Sequence, residues 1–226
     1  MKTRLVMVVL LMVVLLACGG NESGDAVSVA EVSKPDARPE ATEIDPCAIL
    51  DEELVRAHFE IGEAELTSRQ STSTHHPLCR VAWAKPDAAE IEKKAQEGMA
   101  EYIKAKARGE DAKMPSFQTE NEVHLTVNFP PSETSEGAAA SFGSAMQVLE
   151  QGIQDRDNPD APPKFKYDTV LVEGVGENAR WAPKLSQLSV QSGLYVFHVG
   201  VRTGDPEVNK EKAMALAADI AKKLGD

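Results

Sequence analysis

From Val123 to Phe129 apolar and polar side chains alternate without a break: Val123, Leu125, Val127 and Phe129 against His124, Thr126 and Asn128. Period two is the pattern of a strand with one buried face. The period lengthens elsewhere. Ile91, Ala95, Met99, Tyr102 and Ile103 fall on one side of a helix predicted from Asp87 to about Arg108. Pro130-Pro131 stops the alternating strand, and Ser132 opens a second helix with a stripe of Phe142, Met146, Leu149 and Ile153. Pro206 begins a third, carrying Ala213, Leu216, Ala217, Ile220 and Leu224. Upstream, Asp45 is placed to cap a short helix with Pro46 at its first position. Asp51 is placed to cap another through Leu54, Val55 and Phe59, ending near Gly62. Residues 64–70, 78–84, 167–172, 187–191 and 194–202 read as strands, the last two joined by a tight turn at Ser192-Gly193. Strands clustered late, with helices kept apart from them, predict an α+β domain: an antiparallel sheet flanked by helices.

The front of the chain breaks both patterns. Met1-Lys2-Thr3-Arg4 is positively charged, and Leu5 to Ala17 is an uninterrupted apolar run. Those thirteen residues would span only about 20 Å as a helix, short of a hydrocarbon core of about 30 Å. A charged start, a short apolar middle and a small residue before the cut describe an export signal over residues 1–17. The ending Leu15-Leu16-Ala17-Cys18 resembles a bacterial lipobox. That resemblance implies a lipidated Cys18 at the new N-terminus and stable anchoring through several acyl chains. Gly19, rather than Asp, resembles the outer-membrane sorting pattern of hosts with two membranes. Residues 18–44 are rich in Gly, Ser, Asp, Glu, Ala and Pro and carry no aromatic side chain. They read as a flexible linker reaching roughly 25–30 Å. The single globular domain is placed at 45–226.

Charge narrows the partners. The full chain has 24 basic and 36 acidic side chains. Loss of Lys2 and Arg4 leaves 22 − 36 = −14. Such a surface disfavours nucleic acid and anionic lipid headgroups, so the membrane is expected to be reached only through the lipid. With Cys18 lipidated, Cys47 and Cys79 remain as an even pair in an oxidising compartment and are predicted to form a disulfide.

Three patches carry a family likeness: Asp45-Pro46-Cys47-Ala48-Ile49-Leu50, Cys79 with Trp83 four residues on, and Val172-Glu173-Gly174-Val175-Gly176-Glu177-Asn178-Ala179, a Gly-x-Gly turn before a strand. Together they resemble a family of secreted bacterial lipoproteins of unknown function, best known from actinobacteria. Related secreted domains, including sensor domains of receptor kinases, are similar to PsbP-type α/β/α sandwiches. The resemblance implies that architecture, and binding or scaffolding at the cell envelope. It brings no catalytic residues.

Candidate chemistry is sparse. Gly174-x-Gly176-x-x-Ala179 matches a permissive dinucleotide fingerprint, but Trp181-Ala182-Pro183 follows where a phosphate-binding helix should begin, so no cofactor is expected. Ala139-x-Ser141-x-Gly143 lies in a helical stretch, away from any strand-to-helix elbow. None of His58, His75, His76, His124 and His198 forms an i, i+4 pair, and no metal site is expected. His124 and His198 occupy the polar phase of their strands, a face either covered by a helix or open to a ligand. Trp181 and Arg180 join them as candidate ligand-binding residues, Trp181 standing equally for core, whereas Trp83 is read as core. The expectation is a non-enzymatic, lipid-anchored envelope protein that binds a protein partner or small ligand. The alternatives are an envelope hydrolase assembled from distant residues and a purely structural lipoprotein.

Overall fold

The structure, a computed structural model, describes residues 43–226 apart from 72, 155–157, 159 and 226. The predicted signal segment, the predicted lipidation site Cys18 and the predicted linker up to residue 42 lie outside the described residues.

The domain opens with two short helices set by their caps. The Asp45 carboxylate accepts the Cys47 N–H at the start of α1 (Pro46–Ile49), and Asp51 accepts the Leu54 N–H at 2.7 Å at the start of α2 (Glu52–His58). There follow β1 (Thr67–Ser71), β2 (Leu78–Ala84), α3 (Ala88–Ala107), β3 (Glu120–Val127) and α4 (Ser135–Gln151). The second half runs β4 (Val170–Val172), β5 (Asn178–Ala182), a 3-10 turn (Pro183–Leu185), β6 (Gln187–Ser192), β7 (Tyr195–Arg202) and α5 (Pro206–Gly225). The seven strands form one antiparallel sheet in the order β1-β2-β3-β7-β6-β5-β4. The α+β class is as the pattern predicts.

Strand alternation divides the sheet into two unlike faces. On β7, Phe197, Val199 and Val201 are fully buried, and they share one core with Val123 and Leu125 of β3, Leu188 and Val190 of β6, and Leu216 and Ile220 of α5. Burial of each such side chain is worth about 1.5–3 kcal/mol, so this layer dominates the fold's stability. The residues between them, Val196, His198, Gly200 and Arg202, face the other way. There α4 covers part of the sheet, its Ala138, Phe142 and Met146 forming a smaller cluster with Val196. Helices therefore flank both faces. The Cys47–Cys79 disulfide ties α1 to β2 on the α5 side. No helix among the described residues is long and apolar enough to cross a membrane.

Several boundaries differ from the sequence reading. The first strand is shifted to 67–71, and the predicted 167–172 strand shortens to Val170–Val172, because the Tyr167 N–H bonds the Leu149 carbonyl instead of a neighbouring strand. The helix after Pro130-Pro131 starts at Ser135, capped by the Thr134 hydroxyl on the Gly137 N–H. Ser132 donates its N–H to Leu194 instead. The stripe on α3 is not a core face: only Ala95 is buried, and Ile103 is 59 % exposed. Ile153 lies past the end of α4 and is exposed, because Gly152 (φ +76°) turns the chain away. At that glycine a Cβ would meet the Lys164 carbonyl oxygen at 2.8 Å.

Candidate functional site

The polar face of the sheet is built by register. Arg80 lies opposite His124, His124 opposite Gly200, and Gly200 opposite Gln187. One step along, Thr126 faces His198, His198 faces Ser189, and Ser189 faces Arg180. The alternation that sends Leu125 and Val199 into the core thus lines up ionisable side chains on the reverse. The His124 ring lies directly over Gly200. A Cβ there would fall 1.9 Å from the imidazole Cε1, so the absence of a side chain at Gly200 is what makes room for the ring. His198 Nδ1 is hydrogen-bonded to the Ser189 hydroxyl at 2.9 Å. Burial pushes the His198 pKa down to about 4, and the nearby His76 and His124 push it the same way. His124 is likewise held below the ordinary histidine range, first by burial and then by the positive charge of Arg202, against the pull of Glu122.

At the end of this row a cleft of about 620 Å³ opens between the start of β3, the end of β7 and the 3-10 turn. Glu122 lines it, takes an Arg80 Nε–H at 2.7 Å and lies 3.6 Å from Arg202 Nη1 and 3.5 Å from His124 Nδ1. Burial alone would raise the Glu122 pKa; the Arg80 hydrogen bond and charge, with Arg202 and His124, outweigh it and keep the carboxyl below its ordinary range. A second arm of Arg80 reaches Glu120 at 3.1 Å, and its pairing with Glu122 raises its own pKa further. Lys85 donates to the Gln118 carbonyl. Lys184, exposed on the 3-10 turn, makes no hydrogen bond or ion pair among the described residues.

The backbone of this rim is specialised. Ser186, directly after the 3-10 turn, is in the left-handed region (φ +50°), which costs a non-glycine residue about 1 kcal/mol or more. That conformation lets its carbonyl accept the Val201 N–H at 3.0 Å while its own N–H closes onto Pro183. On the opposite rim, buried Asn209 accepts both the N–H and the hydroxyl of Thr203, fixing the β7–α5 loop.

The residues singled out from the sequence do not converge on one place. His124 and His198 share the polar face, and His124 contacts the cleft through Glu122. Arg180 lies toward the far edge of the same face, beside a separate groove of about 390 Å³ under α4. Its Nη1 bonds Glu150 at 2.5 Å and Thr169 at 3.0 Å, while Thr169 also donates to Glu150, so the guanidinium clamps β5 to α4. Trp181 points through to the other face and is 2 % exposed within the core. Trp83 is core as read, with its ring centroid 5.3 Å from that of Phe59. The Gly-x-Gly turn is followed by β5 and not by a helix; a Cβ at Gly176 would meet the Gln191 carbonyl oxygen at 2.4 Å, so this glycine permits a close crossing of chains. His75 and His76 are exposed, and His76 is hydrogen-bonded to Asn128. Among the described residues no three His, Cys, Asp or Glu side chains stand close enough to hold a metal ion.

Sequence reasoning passed over Arg80, Glu122, Lys184 and Arg202. Glu122 lies one period-two step before His124 on β3, and Arg202 two such steps after His198 on β7, so carrying the period-two reading to the ends of both strands would have found them. No protein family matches this chain, and no match was found among curated proteins or solved structures.

Proposed function

We propose that this chain is an exported, lipid-anchored envelope protein whose α+β domain is a binding module and not an enzyme, with the cleft around Glu122 as its binding site. One observation carries the reading: a cleft of about 620 Å³, within the size range of small-molecule sites, lined by four cationic side chains (Arg80, Lys85, Lys184, Arg202) on a chain of net charge −12. Lipid attachment at Cys18 rests on the lipobox resemblance, and the outer membrane is its destination in a two-membrane host.

A hydrolase is the second reading, favoured by the Ser189–His198 pair, a hydroxyl beside a base. Ser189 is 1 % exposed, and the neighbour of His198 along the face is His124, which supplies no negative charge to support an imidazolium. Labelling of Ser189 by a fluorophosphonate, abolished in Ser189→Ala, would establish that reading.

The binding reading is tested by capturing the full-length chain from native membranes and identifying co-retained small molecules by mass spectrometry, beside an Arg202→Gln/Lys184→Gln chain. A molecule retained by the first and lost from the second supports it; identical profiles contradict it. Intact mass of the same material reports the anchor: a mature chain beginning at Cys18 with added acyl mass is expected, and an unmodified Cys18 would refute it.

A further inference from the structure

Resting on that reading of the cleft, we propose that its ligand is a small organic oxyanion, held by Arg202 and Lys184 across the rim. Among the described residues Arg80, Lys85, Lys184 and Arg202 share the cleft with two carboxylates, Glu120 and Glu122, which leaves two positive charges in excess. The four cations are not equally occupied. Arg80 is spent on both carboxylates, at 2.7 and 3.1 Å, and Lys85 donates to a backbone carbonyl. Arg202 is 48 % exposed and, among the described residues, makes one long approach to a carboxylate, 3.6 Å to Glu122. Lys184 has no partner among the described residues. An unspent guanidinium presents a planar fork of N–H donors suited to a carboxylate or phosphate, and the ammonium adds a point charge beside it.

The surroundings agree with a pre-formed anion site. Glu122 does not repel the ligand in full, because Arg80 already neutralises it. The left-handed Ser186 holds the Lys184 turn against β7, and Asn209 fixes the loop following Arg202, so both cations sit on backbone constrained before any ligand arrives. At about 620 Å³ the cleft is within the size range of small-molecule sites and has room beside an oxyanion for more of a ligand. The oxyanion is therefore one group on a larger molecule.

Calorimetric titration of the full-length chain in detergent tests this, with succinate and glycerol phosphate as anionic probes and ethanolamine as a cationic one. The two anions also separate a carboxylate from a phosphate preference. Saturable binding of at least one anion at low ionic strength is expected, weakening with added salt and weakened about tenfold or more in Arg202→Gln and in Lys184→Gln. Lys94→Gln, on the exposed face of α3, is expected to bind as the unaltered chain does. No saturable binding of either anion, binding of ethanolamine instead, or anion binding indifferent to both cleft substitutions would overturn the proposal. If the molecule captured from membranes proves neutral or cationic yet is lost from the double variant, the cleft stands and the oxyanion falls. If capture is unaffected by the double variant, the cleft itself is wrong.

Discussion

The two faces of the sheet are made by the same strands and do opposite work. On the α5 side, Val123, Leu125, Leu188, Phe197, Val199 and Val201 are fully buried and belong to one core with aliphatic side chains of α5. One residue over on each strand, Glu122, His124, Ser189, His198 and Arg202 form hydrogen bonds and ion pairs. The apolar face supplies stability in proportion to the area it removes from water. The polar face adds little net stability, since each of its pairs must offset its own desolvation, but it fixes charges in a set geometry. A sheet stabilised from one side can therefore carry ionisable groups on the other without losing its fold.

The largest effect should come from the apolar side. Phe197→Ala, deep in that layer, is expected to cost about 3–5 kcal/mol in urea unfolding; a loss below about 1 kcal/mol would mean that the core is not where the burial pattern puts it. Next comes the disulfide on the same side. Cys47→Ser opens a loop of sequence separation 32 and should remove about 3–4 kcal/mol in the chain-entropy account, with one titratable thiol appearing at Cys79. An unchanged urea midpoint would contradict it.

The polar face makes its own demand through pH. His198 in the fold binds a proton only near pH 4, whereas in the unfolded chain it does so near pH 6.5. Between those values the unfolded state holds more protons, so stability falls as pH falls. His198 contributes its stabilising share above pH 6.5 and loses about 3 kcal/mol of it by pH 4. In His198→Gln, stability should fall less steeply across that window than in the parent chain, and an identical slope would show that the ring is not held neutral by its surroundings. A smaller effect tests the packing of the same face. Gly200→Ala places a Cβ inside the present volume of the His124 ring and should cost about 1–3 kcal/mol, partly restored by adding His124→Ala. Two independent, additive losses would mean that the two residues do not meet.

How much of this was legible in the sequence follows the same division. The apolar face announces itself by periodicity, so β3, β7, α5 and the caps at Asp45 and Asp51 could be read directly. The α3 stripe misled because helical spacing of apolar residues does not say whether a partner surface exists: Ile103 has the spacing and stays in water. The strand Asn178–Ala182 escaped the periodicity reading because its polar-phase residues Asn178 and Arg180 flank only one aliphatic-sized apolar position, Ala179, before Trp181. The site was half legible. His124 and His198 stood out as rare residues in a polar phase, but the cleft is formed where β2, β3, β7 and the 3-10 turn meet, and cross-strand register of that kind is not written in local spacing. Trp181 looked equally suited to a cleft or a core, and its phase on β5 sends it to the core.

Hydrogen–deuterium exchange of the full-length chain, with and without saturating succinate, asks most directly which part of the polar face is the site. The account predicts slower exchange at Phe117–Glu120, Lys184–Ser186 and Thr203–Asp205, the segments around the cleft, with α4 and β4 unchanged. Protection confined to the groove beside Arg180, or no protection at any of the cleft segments, would contradict it.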